Sequence, residues 1–311
     1  MRRREFLKWQ MHGALWLAAG STVAAPLSAM AQDAVASADE LDVAIAKGAP
    51  AAATRAAVEL LGGMQSVVKP GQKVAIKPNM SFPQAPDKGT TTHPEVVSAL
   101  VAMCREAGAE EIFVLDHPLS RAEACLERSE IQAACSAIPN TRVLGLEDST
   151  FYVEAPIDQG EEMRDNAFMR EVLEADVLIA APVAKSHGST GVSLSMKGMM
   201  GLIWDRGVMH YRYNLDQAIV DLNTKLAADL AVVDATRVLS TNGPYGPGRV
   251  LNENTVIASR NVVAADAMTV SRFEWYGRRI RPDQVGHIRA AHDRGLGPMD
   301  VASMKVREVE V

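Results

Sequence analysis

Residues 175–210 read ADVLIAAPVAKSHGSTGVSLSMKGMMGLIWDRGVMH, and this stretch decides how the whole chain is interpreted. Five apolar residues, Val177–Ala181, predict a buried strand that a proline ends. Lys185 and His187 follow among small polar residues, and Lys197 comes ten residues after His187. Because ligands of α/β proteins bind outside the carboxyl ends of the strands, this stretch predicts a functional site.

Strand and helix patterns alternate along the rest of the chain. Strand patterns occupy residues 73–77, 111–115, 142–146, 230–234 and 255–259, and helical spacing is found at 54–68, 92–106, 163–175, 215–228, 261–276 and 284–293. The alternation predicts an α/β fold with a mostly parallel, Rossmann-like sheet that helices cover on both faces. Two α/β lobes with a cleft between them, at 54–160 and 161–311, are an alternative arrangement.

The first 31 residues have the features of an export signal. A twin-arginine pattern, RRREFLK, occupies residues 2–8, and an apolar run and an Ala-x-Ala cleavage site follow it. We therefore expect export to the periplasm, with the twin-arginine translocase as a partner. A membrane anchor is the alternative, but the apolar run is shorter than the ~20 residues that a spanning helix needs. We expect the processed protein not to span a membrane.

Residues 32–53 are rich in alanine and aspartate, and we interpret them as a loose lead-in to an α/β domain at 54–311. The chain carries a formal net charge of −6, and the signal contains four of its basic residues. Removal of the signal makes the protein more acidic. An acidic protein is a poor ligand for nucleic acid and for anionic membrane surfaces, so neither is an expected partner.

The chain has three cysteines, at positions 104, 125 and 135. An oxidising compartment permits a disulfide, and Cys125 with Cys135 is the candidate pair, although their spacing on a helical stretch is awkward. Three scattered cysteines cannot form a four-cysteine iron–sulfur site. The twin-arginine route carries folded proteins, and insertion of a cofactor before export is one common reason to use it. A metal or metal-containing cofactor is therefore one expectation, with export alongside a partner, or fast folding, as the alternatives.

Polar residues follow the ends of several predicted strands. They are Lys77, Asn79, Asp116, His117, Lys185, His187 and Asp234. Because parallel strands point their carboxyl ends to the same edge of a sheet, these side chains are predicted to meet at one rim. The alternative is that each is an ordinary solvated strand end.

Lys185, His187 and Lys197 are the catalytic candidates. Two lysines and a histidine make a cationic site, which suits a small anionic ligand such as a carboxylate or phosphate. A lysine that is desolvated or close to another cation loses its proton more easily, and it can then act as a base or bond covalently to a carbonyl. His187 can act as an acid, a base or a metal ligand.

Two further sets of residues are predicted to bind ligands. Lys77 and Asn79, with Thr91 and Thr92 at the start of a predicted helix, form the anion-binding set, because helix N-termini favour anions. His187, His210 and Asp234 form the candidate metal set. Nearby methionines at positions 196, 199, 200 and 209 could indicate copper, since thioethers favour Cu(I), but core packing is the favoured interpretation. His287 and His292 are interpreted as part of a solvated helix face.

The chain resembles the family called domain of unknown function 362 over about residues 74–300. The landmarks are Ile76-Lys77-Pro78-Asn79, Thr91-Thr92-His93-Pro94, Ala175-Asp176, Pro182, Lys185-x-His187, Lys197-Gly198, His210, Asp221, Val233-Asp234, Asn242-Gly243-Pro244 with Gly246, and Ala265-Asp266. Many members of that family carry ferredoxin-type iron–sulfur motifs. This chain lacks those cysteines, so the resemblance does not imply a cluster here.

A fainter resemblance is to lactate racemase. That family places a histidine and a lysine ten residues apart across a Gly/Ser-rich loop, and His187 and Lys197 reproduce the spacing. In the racemase the lysine tethers a nickel-pincer nucleotide, and histidines take part in hydride and proton transfer. The resemblance implies a covalent role for Lys197, although the loop here lacks the racemase's Gly-Gly pair.

The sequence thus predicts an exported enzyme that acts on a small anionic substrate at a lysine and histidine site, by redox or isomerase chemistry, with a cofactor loaded before export. A non-catalytic protein that holds a metal or cofactor for a periplasmic partner is the alternative, and a purely structural accessory protein is a third hypothesis.

Overall fold

The strand predicted near the beginning of the decisive stretch lies in the middle of a large sheet. The computed structural model describes residues 41–311. The predicted twin-arginine signal at 1–31 and the first part of the predicted lead-in lie outside the described residues. No helix of the described part is long and apolar enough to cross a membrane.

The described strands are β1 (Val43–Lys47), β2 (Lys73–Pro78), β3 (Glu111–Asp116), β4 (Thr141–Gly145), β5 (Tyr152–Pro156), β6 (Asp165–Met169), β7 (Val177–Ala181), β8 (Val183–His187), β9 (Gly191–Ser193), β10 (Leu230–Leu239), β11 (Val250–Ser259) and β12 (Val306–Glu310). The helices are α1 (Pro50–Leu60), α2 (Pro94–Glu106), α3 (Ala122–Ser129), α4 (Ile131–Cys135), α5 (Arg170–Glu174), α6 (Ser195–Gly198), α7 (Val208–Tyr211), α8 (Leu215–Lys225), α9 (Val262–Arg272) and α10 (Gly286–Asp293).

Ten of these strands form one sheet, in the order β12-β1-β11-β10-β7-β2-β3-β4, with β8 and β9 joined at one side of β10. The five strands β10, β7, β2, β3 and β4 are parallel neighbours. The prediction of an α/β fold with a mostly parallel sheet is confirmed. After β2 the chain continues outward to β3 and β4, and β7 then returns to the other side of β2. The gap between β2 and β7 is therefore a topological switch point, where doubly wound sheets bind ligands.

Helices cover both faces of the sheet. Along β2, Val74 and Ile76 pack into one apolar core, whereas Ala75 packs into the core on the opposite face. In β7, Ile179 belongs to the first core and Leu178 to the second. This alternation follows from the two-residue period of a strand, and burial on both faces explains why these strands are continuously apolar. Residues 41–311 fall within one compact unit, so the two-lobe arrangement is not adopted.

The prediction of a loose lead-in at residues 32–53 is wrong for its described part. Val43–Lys47 is a strand of the main sheet, antiparallel to β11 and parallel to β12, and α1 begins at Pro50. Four consecutive apolar residues of β1 are fully buried between these neighbours. Alanine-rich composition obscured this strand, because alanine is a weak strand former that sheet burial can override.

Three other local predictions need correction. Residues 163–175 do not form one helix, because β6 occupies Asp165–Met169 and pairs with β5. The strand predicted at 230–234 continues to Leu239, so Asp234 lies inside β10 rather than at its end. His287 is completely buried rather than part of a solvated face. Each error came from local pattern, which tertiary pairing and burial override.

All three cysteines are buried free thiols, so Cys125 and Cys135 do not form the candidate disulfide. Burial raises the pKa of Cys104 and Cys135 to about 12 and that of Cys125 to about 11. Thiols with such high pKa values are unreactive at neutral pH, because the thiolate is the reactive form.

Candidate functional site

A cavity of about 400 Å³ opens at the carboxyl ends of β2 and β3, beside the switch point. Its lining comes from β2, β3, β8 and β9, from the stretch that runs from α6 to α7, and from the loops that follow β2, β3 and β10. The residues that line it are Lys77, Asn79, Ser81, Phe82, Asp116, Leu119, Lys185, His187, Ser193, Lys197, Gly198, Met200, Gly201, Trp204, Arg206, Gly207, His210 and Pro244. We call it the lysine pocket. All three predicted catalytic residues line it.

Lys185 reaches the lysine pocket from β8, which pairs with β10 and β9. Only 2% of the residue is exposed. Its Nζ donates a hydrogen bond of 2.7 Å to the carbonyl oxygen of Thr90 and lies 5.3 Å from the ring centroid of Phe82. Burial lowers the pKa of Lys185 to about 7, although Asp116 opposes the shift. The charged and neutral forms are therefore both available near neutral pH.

Lys197 lies on the single turn of α6, and 8% of the residue is exposed. Its Nζ is 3.5 Å from Sδ of Met200, a weak acceptor. Burial, and to a smaller extent the Arg206 guanidinium, lower the pKa of Lys197 to about 8. The neighbouring methionines at 196, 199, 200 and 209 are buried in the apolar core, as the packing interpretation predicts.

Asp266 of α9 fixes the turn that carries Lys197. One carboxylate oxygen accepts the backbone N–H of Ser195 and the other accepts that of Met196, each at 2.9 Å. Burial raises the pKa of Asp266 to about 6, although these hydrogen bonds oppose the shift. A buried carboxylate at the first turn of a helix satisfies N–H groups that otherwise have no partner. Asp266 is one of the family landmarks in the sequence. Its hydrogen bonds to the turn that carries Lys197 give it a positioning role.

Lys77 and Asp116 form the one ion pair on the pocket wall within the described chain, with Nζ and Oδ1 3.0 Å apart. Asp116 also accepts hydrogen bonds from the backbone N–H of Met80 and the hydroxyl of Ser81, both at 2.8 Å. Burial lowers the pKa of Lys77, and Asp116 opposes the shift. Gly201 lies directly against this pair. A Cβ at this position would be 2.3 Å from Asp116 Oδ1 and 2.4 Å from Lys77 Cε, so a larger residue does not fit without a shift.

Arg206 is a pocket residue that the sequence analysis missed. Its two terminal nitrogens donate to the carbonyl oxygens of His117 and Pro118, at 2.6 and 2.9 Å. These acceptors are neutral, so they position the guanidinium without cancelling its charge. The signal that could have identified Arg206 is its place between Trp204 and His210, within the stretch already interpreted as a site.

His187 and His210 face each other across the pocket, with ring centroids 6.4 Å apart and planes 16° apart. Burial lowers the pKa of His187 to about 3, and the nearby Lys197, His210 and Lys185 lower it further. Burial and Lys197 also lower the pKa of His210. Both imidazoles are therefore neutral at pH 7, which leaves the lysines and Arg206 as the cations of the pocket.

The predicted anion-binding set is only partly at the pocket. Lys77 and Asn79 line it, but the side-chain oxygen of Asn79 already accepts the backbone N–H of Val183 at 2.9 Å. The hydroxyl of Thr92 donates to the carbonyl oxygen of Ala181 and accepts the N–H of Asn79. Thr91 is buried outside the lining. Thr92 therefore ties β2 to the end of β7, and neither threonine is among the residues that line the lysine pocket.

The candidate metal set does not assemble. Asp234 lies in β10, away from the pocket lining, where it accepts hydrogen bonds from Arg237 at 2.8 Å and from the backbone N–H of His93 at 2.7 Å. It therefore contacts neither His187 nor His210. Within residues 41–311, no three His, Cys, Asp or Glu side chains are grouped so that they could hold a metal ion. The side chains named for a metal site do not fit one.

The charge balance of the lysine pocket is unusual for an acidic protein. Its described lining has four cationic side chains and one carboxylate, and that carboxylate pairs with Lys77. Among residues 41–311, Lys185, Lys197 and Arg206 form no ion pair. Buried charges are normally paired, so a pocket in which two lysines and an arginine have no anionic partner is arranged to receive an anion.

Comparison with known proteins places this pocket in a family. The family described as "Domain of unknown function (DUF362)" matches residues 74–271, which is well over half of the chain. The chain belongs to the DUF362 family. The match covers β2, the decisive stretch, and Asp266 of α9, and so includes most of the residues that build the lysine pocket.

Two individual proteins are also similar. A thylakoid-associated protein of Synechocystis sp. is 27% identical over 260 residues, which are 81% of this chain and 77% of that protein. The lactate racemase apoprotein of Thermoanaerobacterium thermosaccharolyticum superimposes with a TM-score of 0.47 at 12% identity, over 73% of this chain and 56% of the racemase.

Proposed function

We propose that this DUF362 protein is an exported enzyme that binds a small anionic substrate in the lysine pocket and isomerises it by proton transfer. The observation that carries the proposal is the excess of buried cations around one cavity, in a chain whose net charge is negative. Such a pocket concentrates anions and excludes cations. A cavity of about 400 Å³ lies within the range of about 300–1,000 Å³ that small-molecule sites occupy.

The lysines supply the chemistry in this proposal. Since the pKa of Lys185 is about 7, much of its population is a neutral amine near pH 7.5, and this amine can accept a proton from a carbon next to a carboxylate or carbonyl. The electron pair left on carbon moves onto the adjacent oxygen, where Lys197 and Arg206 stabilise the negative charge. Delivery of a proton to the neighbouring carbon, or to the opposite face of the same carbon, completes the isomerisation.

The N-terminal sequence supports a second reaction class. The RRREFLK pattern at residues 2–8 is typical of the twin-arginine route, which carries proteins already folded. We infer from it an exported protein that meets the twin-arginine translocase, and an organic cofactor loaded before export, with redox chemistry at the same pocket. The test is elemental analysis, an absorption spectrum and the intact mass of full-length protein purified before export.

Export has its own test. Replacement of Arg3 and Arg4 by lysine is expected to retain the protein in the cytoplasm, because the paired arginines are the recognised feature of the signal. Fractionation of cells that express each form measures the outcome. Equal amounts of both forms in the periplasm would show that the pattern is not the export signal.

Catalysis is tested by hydrogen exchange into small carboxylates. Full-length protein is incubated in D₂O with pyruvate, malate or aspartate, and NMR follows the loss of the proton on the carbon next to the carboxylate or carbonyl. We expect exchange with at least one of these compounds, lost in Lys185→Met and retained in Lys73→Met. Lys73 is the matched control, because it lies at the opposite, exposed end of the strand that carries Lys77.

The exchange experiment, together with a thermal-shift measurement of stabilisation by anions, separates an enzyme from a binding protein. Stabilisation by anions without exchange in any of the compounds would favour the non-catalytic alternative, in which the pocket holds an anionic group for a partner. The absence of both stabilisation and exchange would contradict the proposed function.

A further inference from the structure

We propose that the ligand of the lysine pocket is an organic dianion, with two negative charges held by Lys185, Lys197 and Arg206. This inference rests on the proposed function and specifies the class of its substrate.

Lys77 is the one cation of the described lining that a carboxylate already neutralises. Lys77 contacts Asp116 at 3.0 Å, and both residues are almost fully buried. The carboxylate also accepts two further hydrogen bonds, from Met80 N–H and the Ser81 hydroxyl. The ion pair and these two hydrogen bonds occupy the oxygens of Asp116. Lys77 and Asp116 together therefore contribute about zero net charge to the cavity.

Lys185, Lys197 and Arg206 have only neutral hydrogen-bond partners within the described chain. Lys185 has the carbonyl oxygen of Thr90, Lys197 has a thioether sulfur, and Arg206 has two backbone carbonyl oxygens. All these acceptors are neutral. An ammonium group has three N–H donors and a guanidinium has five, so each of the three groups keeps donors for a ligand.

Candidate ligands differ in the charge that they leave unbalanced in the pocket. Because one lysine is neutral when it acts as the base, the second lysine and Arg206 remain as two cations. A monoanion would leave one of these buried cations without a counterion, which is costly, whereas a dianion would leave none. The described lining holds no acidic side chain besides Asp116 that could repel a second negative charge.

Part of the pocket wall is apolar and would face the portion of the ligand between its charges. Phe82, Leu119, Met200 and Trp204 supply an apolar wall, and Trp204 is held by stacking on His117 with ring centroids 5.2 Å apart. An apolar wall inside a cationic cavity fits a short carbon skeleton better than a bare inorganic ion. Either a dicarboxylate or a carbon acid with a phosphate-type group meets these requirements.

The test compares ligands of equal length and different charge. Succinate and butyrate each have four carbons, and sulfate is a compact dianion. Binding of each to full-length protein is measured by isothermal titration and by thermal shift at constant ionic strength and pH 7.5. We expect succinate or sulfate to bind at least roughly tenfold more tightly than butyrate, since the additional charge meets a second buried cation. Tighter succinate binding identifies a dicarboxylate site, and tighter sulfate binding identifies a phosphate-type site.

Variants connect this preference to the named cations. We expect Lys197→Met and Lys185→Met to reduce the preference for the dianion to less than about threefold, and Lys73→Met to leave it unchanged. Circular dichroism checks that each variant is folded. Succinate, sulfate and butyrate binding with equal affinity would overturn the dianion inference while the anion site itself stands. Failure of all three to bind would overturn the proposed function as well.

Discussion

The lysine pocket and the cluster around Asp234 look alike in sequence, and they differ in how completely their charges are paired. Both consist of charged residues that follow apolar strand segments. Asp234 is fully buried, and its carboxylate accepts from Arg237, from Thr236 and from the backbone of His93. Lys185 and Lys197 are almost as deeply buried, yet they have only neutral partners. Complete pairing indicates a structural role, and incomplete pairing indicates a ligand.

The strongest way to break this comparison is to remove Asp234. Asp234→Ala leaves the buried guanidinium of Arg237 without its counterion, and we expect a loss of about 3–5 kcal/mol in the free energy of unfolding, measured in urea. The matched control is Asp283→Ala, whose exposed pair with Arg281 is worth less than about 1 kcal/mol. If Asp234→Ala abolishes anion binding in protein that is still folded, then the assignment of Asp234 to structure alone is wrong.

Lys185→Met sharpens the comparison from the opposite side. It removes a buried cation that has no counterion, so we expect the free energy of unfolding to be unchanged or to increase by about 1 kcal/mol in the absence of ligand. The same change should weaken succinate or sulfate binding by roughly 30-fold to 100-fold, because a charge that contacts the ligand is lost. A variant that is less stable and binds anions normally would show that Lys185 is a structural residue.

The pH dependence of stability provides a third test. Burial lowers the pKa of Lys185 to about 7 and of Lys197 to about 8, whereas in the unfolded chain both are near 10.4. Between these values the unfolded state binds more protons, so stability rises as the pH is raised from about 7 to about 10. The slope is at most about 1.4 kcal/mol per pH unit for each lysine. Urea unfolding at fixed ionic strength measures it.

Variants assign that slope. Lys197→Met and Lys185→Met should each flatten the rise, and Lys73→Met should not. Saturating succinate or sulfate should flatten it as well, because an anion favours the charged lysines. A wild-type stability that is flat or falls between pH 7 and 9 would contradict the assignment of uncompensated lysines.

The smallest expected effect is that of Asp266→Asn. The amide oxygen can still accept one of the two backbone N–H groups, so we expect a loss of about 1 kcal/mol in unfolding free energy. Because the turn that carries Lys197 loosens, anion affinity should fall by a few-fold. Asp266→Ala should lower both quantities further. Unchanged affinity in both variants would show that Asp266 does not position Lys197.

The sequence predicted the sheet and the location of the site better than it predicted the partners of individual residues. Apolar runs identified β2, β3 and β7, and the positions of Lys185, His187 and Lys197 after β7 led directly to the pocket. Asp234 was misplaced because β10 continues for five residues beyond it, which only its pairing with β11 determines. Thr92 was misassigned because its hydroxyl bonds to Ala181, far along the chain.

Arg206 is the opposite case, a pocket residue that the sequence did not lead us to predict. Its place between Trp204 and His210 was its sequence signal, and its position depends on two carbonyl oxygens about 90 positions away that hold it at the pocket. Strand patterns therefore predict where a rim lies. The pairing of each charge, which decides between structure and function, depends on contacts that are distant in sequence.

The central claim is that the buried lysines of the lysine pocket have no anionic partner, so they lose protons easily and regain them when an anion binds. Proton uptake on binding tests this claim most directly. Calorimetric titration of full-length protein with succinate or sulfate at pH 8, in two buffers of different ionisation enthalpy, measures that uptake. These ligands do not titrate at pH 8, so any proton taken up from the buffer is bound by the protein. We predict uptake of part of a proton or more per bound dianion, reduced in Lys185→Met and in Lys197→Met. Dianion binding without proton uptake would contradict the claim.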